Sequence, residues 1–214
     1  MKSPTMLLLL FVASAFAQGT FVNLDFEAAK VSDLPYPGSG EIVAVSNGVP
    51  GWSISPELEP GMMGHNGLPL GGADVEIYGP DWPSTQILQG FYTVGLFHST
   101  AGPPTEASIF QTGQIPLGTK SIQFYGNFMY VVSFAGQQVP LVTLGTGPNY
   151  NILGGDVSVF AGQTGELRFT GSGLLDNIVF STQAIPEPSV LALSALGTLL
   201  LVWRFHRRTL HQML

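Results

Sequence analysis

The segment from Gly19 to Thr182 contains no run with the 3.6-residue apolar period of a long helix. Its apolar residues instead form short runs, alternating or continuous, separated by Gly, Pro and Asn. Such runs predict short strands joined by tight turns. The predicted strands are Thr20–Glu27, Glu41–Ser46, Gly51–Ser55, Ala73–Tyr78, Thr85–Gln89, Phe91–His98, Ala107–Thr112, Ser121–Phe128, Met129–Ala135, Gln138–Leu144, Asp156–Phe160, Glu166–Thr170 and Leu174–Ser181.

The spacing of these strands decides the fold class. Strands that recur about every ten residues, with no helices between them, are typical of antiparallel sandwiches. The chain has 27 Gly and 16 Pro among its 214 residues, which is below the share that indicates disorder. We therefore predict an all-β protein whose body, residues 18–182, is a single antiparallel β-sandwich or jelly roll.

The charge of this body limits its partners. From Gln18 to Ile185 the sequence has 13 acidic and 3 basic residues. Binding to nucleic acid needs clustered cations to meet the phosphates, so we expect no nucleic-acid partner. A basic partner or a divalent cation is more compatible. The absence of cysteine excludes disulfides and zinc thiolate sites.

The N-terminus has the features of a secretory signal peptide. Lys2 is positively charged, and Met6–Phe16 is an apolar run of eleven residues. Ala15 and Ala17 fit the small-x-small pattern that signal peptidase recognises, so we expect cleavage before Gln18. The alternative is an uncleaved anchor, but eleven helical residues span about 17 Å, short of the ~30 Å hydrocarbon core of a bilayer.

Three features follow one another at the C-terminus. They are the tripeptide Pro186-Glu187-Pro188, the fifteen uncharged residues Ser189–Trp203, and a basic cluster of Arg204, His206, Arg207 and Arg208. As a helix the uncharged part covers about 22 Å and, with arginines that snorkel, just crosses a thin bilayer. The positive-inside rule then puts the tail in the cytoplasm and the body outside. A plain single-pass anchor is the simpler alternative.

This C-terminus resembles the PEP-CTERM sorting signal of Gram-negative bacteria that produce exopolysaccharide. The resemblance implies that exosortase, a membrane-embedded transpeptidase-like protease, recognises Pro186, Glu187 and Pro188, and that the body passes from the inner membrane to the cell surface or extracellular matrix. Six residues, Thr209–Leu214, follow the basic cluster, where the family usually ends among its arginines. The expected organisation is a signal peptide at 1–17, the body at 18–182, the sorting signal at 183–208 and a tail at 209–214, with a linker around Thr182–Ile185.

Several segments of the body resemble galactose-binding-like jelly rolls. They are Asn23–Glu27, Val49–Trp52, Gly90–Leu96 with Ser108–Thr112, and Leu175–Ile178. In that fold the first and last strands are neighbours, so the resemblance implies that Glu27 and Asp176 approach each other and can hold a structural calcium, which needs six to eight oxygen ligands. The alternative is that Glu27 is an exposed strand end and Asp176 an ordinary turn or ladder residue.

Motifs for catalysis are absent from the sequence. It has no Gly-x-Ser-x-Gly, His-Glu-x-x-His, P-loop, Rossmann glycine pattern or EF-hand loop. We interpret His98 as a strand-end or loop residue rather than part of a triad, and His65 as part of a solvated loop. Glu57 and Glu59 form the most conspicuous carboxylate pair, but flanking prolines indicate an extended, solvated loop rather than a glycosidase site.

Aromatic residues on loops are candidates for stacking on sugar rings. Trp52, Trp82 and Tyr78 are the candidates here, and Trp82 is the best because its Gly-Pro-Asp-Trp-Pro setting predicts a turn. Trp52 is better explained as a core residue. The favoured hypothesis is thus an exported, non-enzymatic surface protein with a structural or adhesive role, and the alternatives are a carbohydrate-binding module and a secreted hydrolase.

Overall fold

A computed structural model describes residues 20–31, 40–67, 71–80, 86–99, 102 and 106–185 of the chain. The expected signal peptide and the sorting motif lie outside these residues. Within them, the chain forms twelve strands, a four-residue helix α1 at Val45–Gly48 and a 3-10 turn at Ser158–Phe160. The strands are β1 Glu41–Ala44, β2 Ser53–Ser55, β3 Met62–His65, β4 Asp74–Tyr78, β5 Thr93–Phe97, β6 Ala107–Gln114, β7 Ser121–Gly126, β8 Met129–Phe134, β9 Gln137–Val139, β10 Val142–Thr146, β11 Asn151–Asp156 and β12 Thr164–Ser181.

The strands form two sheets that share one strand. The larger sheet has the order β1-β3-β4-β5-β12-β7-β11-β10. In the smaller sheet β12 lies between β6 and β8, with β2 beyond β6 and β9 beyond β8. The prediction of an all-β sandwich is therefore confirmed at the level of fold class.

The shared strand passes from the smaller sheet to the larger at Gly171–Gly173. Residues up to Ser172 pair with β6 or β8, and residues from Gly173 onward pair with β5 or β7. Gly171 and Gly173 have φ of 151° and 127°, values that side-chain-bearing residues rarely adopt. A Cβ on Gly171 would also lie 2.1 Å from the carbonyl oxygen of Met129. The crossing between the sheets therefore requires glycine.

One strand pair differs from the antiparallel prediction. β3 runs parallel to β4, with Gly64 opposite Glu76 and His65 opposite Ile77. The other strand pairs that the described residues form are antiparallel. Because the two neighbouring strands run in the same direction, a tight hairpin cannot join them.

Among the aliphatic side chains of the core between the sheets, several aromatic rings pack on one another. Trp52 packs against Phe26 and Phe169, with ring centroids 5.7 and 6.4 Å apart. Phe169 in turn meets Phe124 edge to face at 5.1 Å. Trp52 is 5% exposed and its indole N–H donates to the carbonyl oxygen of Asn23 at 2.9 Å. The interpretation of Trp52 as a core residue is therefore confirmed.

Two predicted strands that lie wholly within the described residues are wrong. Thr20–Glu27 is a series of turns, because Asn23 and Phe26 have φ of 52° and 59° and the backbone of Val22 bonds to the side chain of Gln111. Asp156–Phe160 is the end of β11 and the 3-10 turn. The Asp156 carboxylate accepts a bond from Ser158 N at 2.8 Å, which starts that turn despite the alternating apolar pattern.

Other boundaries differ in smaller ways. β3 and β11, which are rich in Met, Gly and Asn, were not predicted as strands. The predicted strands Glu166–Thr170 and Leu174–Ser181 are one strand, β12, and Gln138–Leu144 is split at Pro140 between β9 and β10. Residues 86–89, the described part of the predicted strand Thr85–Gln89, lie in a loop.

The two ends of the sandwich carry different features. One end, which we call the exit end, comprises residues 115–120, 157–163 and 181–185, since β7 starts and β12 finishes there with Ser121 opposite Ser181. The other, the distal end, lies where β7 finishes and β11 starts, with Gly126 opposite Asn151. Six residues of β7 separate them by about 20 Å. Among the helices of the described residues, none has the length and apolar character needed to span a bilayer.

Candidate functional site

The loop that leads into β5, residues 86–92, is held by side chains from distant parts of the chain. Asp176 on β12 has no exposed surface. Its Oδ2 accepts hydrogen bonds from Gln89 N at 3.0 Å and from the Thr93 hydroxyl at 2.7 Å, while its Oδ1 accepts from Asn177 N at 2.7 Å. The buried carboxyl group thus fixes both ends of the 89–93 segment.

Glu27 holds the middle of the same loop. Its Oε1 accepts hydrogen bonds from Phe91 N at 2.8 Å and from Tyr92 N at 3.1 Å. Gly90, with φ of 65°, lets the backbone approach the carboxylate, since a Cβ there would lie 2.1 Å from Glu27 Oε1. The loop is therefore fastened by two acids, and we call it the clasped loop.

Local backbone irregularities bring the two acids together. Asn177, with φ of 46°, sits at a break in the pairing of β12 with β7 between Asp176 and Val179. There Ile178 N donates to the carbonyl oxygen of Leu24 at 2.8 Å, which joins the N-terminal turns to β12. The expected approach of Glu27 and Asp176 is observed, but through turns at 20–28 rather than a first strand.

The environment of Asp176 changes its protonation. Burial first, and then the charge of Glu27, raise the pKa of its carboxyl to about 7, against the hydrogen bonds from Thr93, Asn177 and Gln89, which lower it. Near neutral pH the group is therefore divided between its neutral and charged forms.

The contacts of the two acids bear on the calcium hypothesis. Glu27 Oε1 and Asp176 Oδ2 each accept hydrogen bonds from two donors of the clasped loop, and Asp176 Oδ1 accepts another. N–H and O–H groups aimed at these oxygens occupy the positions where a cation would bind. In the part of the chain that the structure describes, no group of three or more His, Asp or Glu residues is placed to hold a metal. The oxygens of Glu27 and Asp176 named here thus hold the clasped loop, and the calcium site stays a prediction.

Next to the clasped loop, aromatic rings cover the outer face of the larger sheet. Tyr78, Leu88 and Leu174 form a small apolar cluster there. Partly buried residues pack around it: Ile87, Phe97, Tyr125 and Tyr150. Gly95 allows this arrangement, because a Cβ there would lie 2.7 Å from Phe97 and 2.8 Å from Tyr78. The rings of Phe97 and Tyr78 therefore pack closely over Gly95 on the outer face of the sheet.

Two of these rings join the cluster to the distal turns. Tyr125 on β7 stacks on Tyr150, with centroids 4.2 Å apart and planes 14° from parallel. Burial and the neighbouring Tyr125 raise the pKa of Tyr150, and the charge of Asp176 adds to this. Asn149 Nδ2 donates to the carbonyl oxygen of Ile87 at 3.2 Å, so the turn before β11 touches the clasped loop.

Phe91 is the aromatic residue that the clasped loop presents to solvent. Its side chain is 65% exposed although its own backbone N–H is bonded to Glu27. We predicted it as the first residue of a strand, and β5 begins two residues later, at Thr93. The sequence signal for this loop was Gly90, directly before Phe91, because glycine at that position indicates a turn.

A second pair of acids lies on β4. Asp74, Glu76 and Tyr78 share the outer face of the sheet and are 4%, 2% and 5% exposed. Burial, with the charge of Glu76 next, raises the pKa of Asp74 to about 7. Glu76 accepts a bond from Gly67 N at 2.8 Å, whereas Asp74 Oδ1 is buried with no hydrogen-bond partner among the described residues. Sequence reasoning missed this pair.

The two histidines of the body differ. The interpretation of His65 as a solvated loop residue is wrong: it ends β3, is fully buried, and its Nδ1 lies 3.1 Å from Glu41 Oε1. Pairing with β1 and β4 makes a strand of a segment whose composition predicts a loop. His98 is exposed directly after β5, as predicted.

The remaining predicted site residues divide into those described and those not. Glu57 and Glu59 are exposed, and Glu57 accepts a bond from Gly61 N at 2.7 Å in a turn. Tyr78 is buried and is not an accessible platform for a sugar ring. The other predicted residues lie outside the described ranges: Trp82, the cleavage-site residues Ala15 and Ala17, the motif Pro186, Glu187 and Pro188, and the basic residues Arg204, Arg207 and Arg208.

Comparisons with known protein families and with curated proteins give no match for this chain. Among solved structures, the chain is similar to the carbohydrate-binding module TmCBM61 in complex with β-1,4-galactotriose, at 15% identity and a TM-score of 0.36 over 78% of this chain and 100% of that one. It is also similar to the Stig cyclase Fisc from Fischerella sp. TAU, in complex with an indole compound, at 14% identity and a TM-score of 0.42 over 78% and 97% of the two chains.

Proposed function

We propose that this protein is exported, sorted by exosortase through its C-terminal signal, and held at the cell surface or in the extracellular matrix, where its β-sandwich binds polysaccharide. Its role is adhesive and non-enzymatic. The sorting half of the proposal is supported by the sequence of the two termini. The binding half is supported by one observation above all, the exposed Phe91 on a loop that Glu27 and Asp176 hold in place.

The chemistry of this surface suits a sugar. An aromatic ring packs against the apolar face of a pyranose, and polar groups beside it exchange hydrogen bonds with the hydroxyls. Phe91 supplies an exposed ring, while Asn149 and the half-buried Tyr150 supply polar atoms on the adjoining turn. A fixed loop also loses little conformational entropy when it binds. We call Phe91, Asn149 and Tyr150 the proposed sugar surface.

The hydrolase alternative has less support. A glycosidase needs two carboxyl groups about 5–10 Å apart across an accessible bond. Asp74, Glu76 and Asp176 are at most 4% exposed, and both oxygens of Asp176 are hydrogen-bonded. Glu57 and Glu59 lie in an exposed turn, where Glu57 holds the backbone. These placements favour a binding protein.

The binding half is tested with the purified full-length chain on immobilised polysaccharides and a glycan array. Phe91→Ala should weaken binding about tenfold or more, the scale of losing one stacked ring. Phe128→Ala is the matched control, because Phe128 is 72% exposed in the turn between β7 and β8 and is not part of the proposed sugar surface. Equal binding by both variants would contradict the assignment. Trp82→Ala tests the loop aromatic that the sequence favours.

The sorting half is tested in the native host by intact mass and fractionation. A product that starts at Gln18 and ends near Pro186, found in the matrix, is the expected result. Deletion of exosortase should leave the chain extended to Leu214 in the inner membrane. If the mass and location are the same with and without exosortase, sorting by this signal is wrong, whatever the result of the glycan assay.

A further inference from the structure

Two aliphatic side chains protrude from the exit end of the sandwich. Leu117 is 86% exposed and Val159 is 71% exposed. Both lie on turns rather than strands, so the strand pairing does not require them to be apolar. Solvated turns are normally occupied by Gly, Pro, Asn, Asp and Ser.

The geometry of each turn directs the side chain outward. Leu117 follows Pro116 in a turn closed by a bond from Thr119 N to the carbonyl oxygen of Pro116 at 3.2 Å, with Gly118 at φ of 78°. Val159 is the middle residue of the 3-10 turn Ser158–Phe160. Phe160, the next residue, is 6% exposed and packs on Phe134 in the core. Val159 must therefore face away from the core.

The two turns are fastened to each other. Ile115 N donates to the carbonyl oxygen of Gln163 at 3.0 Å, and Gly162 N donates to that of Ile115 at 2.9 Å. The Leu117 side chain lies over Gly162, where a Cβ would approach its Cδ2 to 2.6 Å. Leu117 and Val159 thus belong to one rigid surface rather than to two independent loops.

The chain leaves the sandwich beside this surface. Lys120 N donates to the carbonyl oxygen of Ser181 at 2.8 Å, and the Ser121 hydroxyl donates to that of Gln183 at 2.7 Å. Ile185 packs on Gly154, with its Cδ1 3.0 Å from the position of a Cβ there. The chain is therefore held against the body up to Ile185, and the expected linker is not a free one.

We propose that the exit end docks on the surface of a phospholipid bilayer, with Leu117 and Val159 inserted at the level of the headgroups. This inference rests on the membrane-spanning tail of the proposed function. Only three residues, 186–188, separate Ile185 from the predicted membrane segment, and three extended residues reach about 10 Å. The tail thus brings the exit end to the bilayer, and the two aliphatic side chains meet it.

The charges at the exit end agree with a lipid partner. The body is strongly acidic, so most of its surface is repelled by an anionic membrane. At the exit end the exposed Lys120 is offset by the exposed Asp156, the last residue of β11 beside this end, so the two charges cancel formally.

The test uses single cysteines, because the natural chain has none. Full-length Leu117→Cys and Val159→Cys are labelled with a fluorophore and reconstituted into vesicles of phosphatidylethanolamine and phosphatidylglycerol with nitroxide-labelled lipids. Met129→Cys, 79% exposed at the distal end in the native chain, is the matched control. We expect labels at 117 and 159 to lose most of their fluorescence to the nitroxides, while the label at 129 keeps its own.

Each of the other possible results contradicts a different part of the proposal. If the chain floats with the vesicles but labels at 117 and 159 stay as bright as the label at 129, the docking is wrong and the anchor stands. If the chain does not float, the membrane-spanning tail is wrong and the docking falls with it. The far-ultraviolet circular dichroism of each variant is compared with that of the parent chain as a control for folding. We expect the spectra to match, because the substituted side chains are exposed.

Discussion

Glu27 and Asp176, from opposite ends of the body, accept hydrogen bonds from one short segment of the chain, residues 89–93. Neither acid makes that contact alone: Asp176 holds Gln89 and Thr93, and Glu27 holds the two residues that follow Gly90. The turns at 20–28, the last strand and the clasped loop thus depend on one another. The order of the proposed binding loop is consequently set by residues far away in the sequence.

Replacing Glu27 with alanine should free the middle of the clasped loop. Phe91 N and Tyr92 N lose their shared acceptor, so their amide hydrogens should exchange with solvent at least about tenfold faster. Hydrogen–deuterium exchange followed by mass spectrometry on peptides covering 86–92 measures this. Unchanged protection there would show that the loop is held by other contacts.

Gly90→Ala should disturb the same loop by a steric route. A Cβ at Gly90 would lie 2.1 Å from Glu27 Oε1, at a backbone φ of 65°. Gly61→Ala is the matched control, since Gly61 has a similar φ of 76° but nothing within 4 Å of its Cβ position. We expect both to lower the unfolding free energy by about 1 kcal/mol, and only Gly90→Ala to speed exchange and reduce glycan binding. Equal exchange in both variants would refute the contact with Glu27.

The stability of the protein should fall as pH rises toward neutrality. Burial raises the folded-state pKa of both Asp74 and Asp176 to about 7, whereas unfolded aspartate titrates near pH 4. Between about pH 4 and 7 the folded state then binds more protons, so the unfolding free energy decreases with pH and levels off above 7. Urea midpoints should be higher near pH 5 than near pH 8.

Asp74→Asn isolates one of these two groups. Its Oδ1 has no partner within the described structure, so the amide loses no hydrogen bond at that atom and removes the ionisation. We expect Asp74→Asn to be more stable than the natural chain near pH 8 and to show a shallower pH dependence. Asp156→Asn is the control, because hydrogen bonds from Ser158 lower the pKa of that carboxyl. A pH slope unchanged by Asp74→Asn would contradict its assigned protonation.

Gly171→Ala should destabilise the junction between the sheets. The new Cβ would meet the carbonyl oxygen of Met129 at 2.1 Å, and this oxygen belongs to the backbone and cannot swing aside. Gly136→Ala, with φ of 77° and open space around its Cβ, measures the backbone cost alone. Chemical denaturation should show Gly171→Ala to be about 1–3 kcal/mol less stable than Gly136→Ala. Similar values for the two would mean that β12 bends there without difficulty.

Phe169→Ala should open a cavity at the centre of the core. Its fully buried ring contacts both Trp52 and Phe124, so the unfolding free energy should drop by about 3–5 kcal/mol. Val131→Ala on β8, where the side chain is 50% exposed, should change it by less than about 1 kcal/mol. Urea unfolding followed by tryptophan fluorescence gives both values.

The sequence predicts most strands because side-chain alternation reports which face is buried. β7 is an example, with Ile122 and Phe124 fully buried and Gln123 and Tyr125 half exposed. The same pattern fails at Asp156–Phe160, because an Asp side chain that bonds the backbone two residues ahead starts a turn regardless of apolar spacing. Local hydrogen bonds of this kind leave little trace in hydrophobic periodicity.

The candidate site was only half predictable. The approach of Glu27 and Asp176 follows from a resemblance of short motifs, but their shared contact with residues 89–93 depends on how distant turns pack. β3 was missed because a Gly-Met-Met-Gly-His segment becomes a strand only when β1 and β4 flank it. Phe91 was missed because an exposed ring at a strand start looks like a core residue in sequence.

The strand that both sheets share also determines how the body would respond to mechanical load. The C-terminal segment continues directly from β12, and β12 is bonded along its length to β6 and β8 in one sheet and to β5 and β7 in the other. A load directed along this strand would shear its hydrogen bonds together rather than break them one by one. A force applied there would be resisted by the hydrogen bonds of both sheets at once.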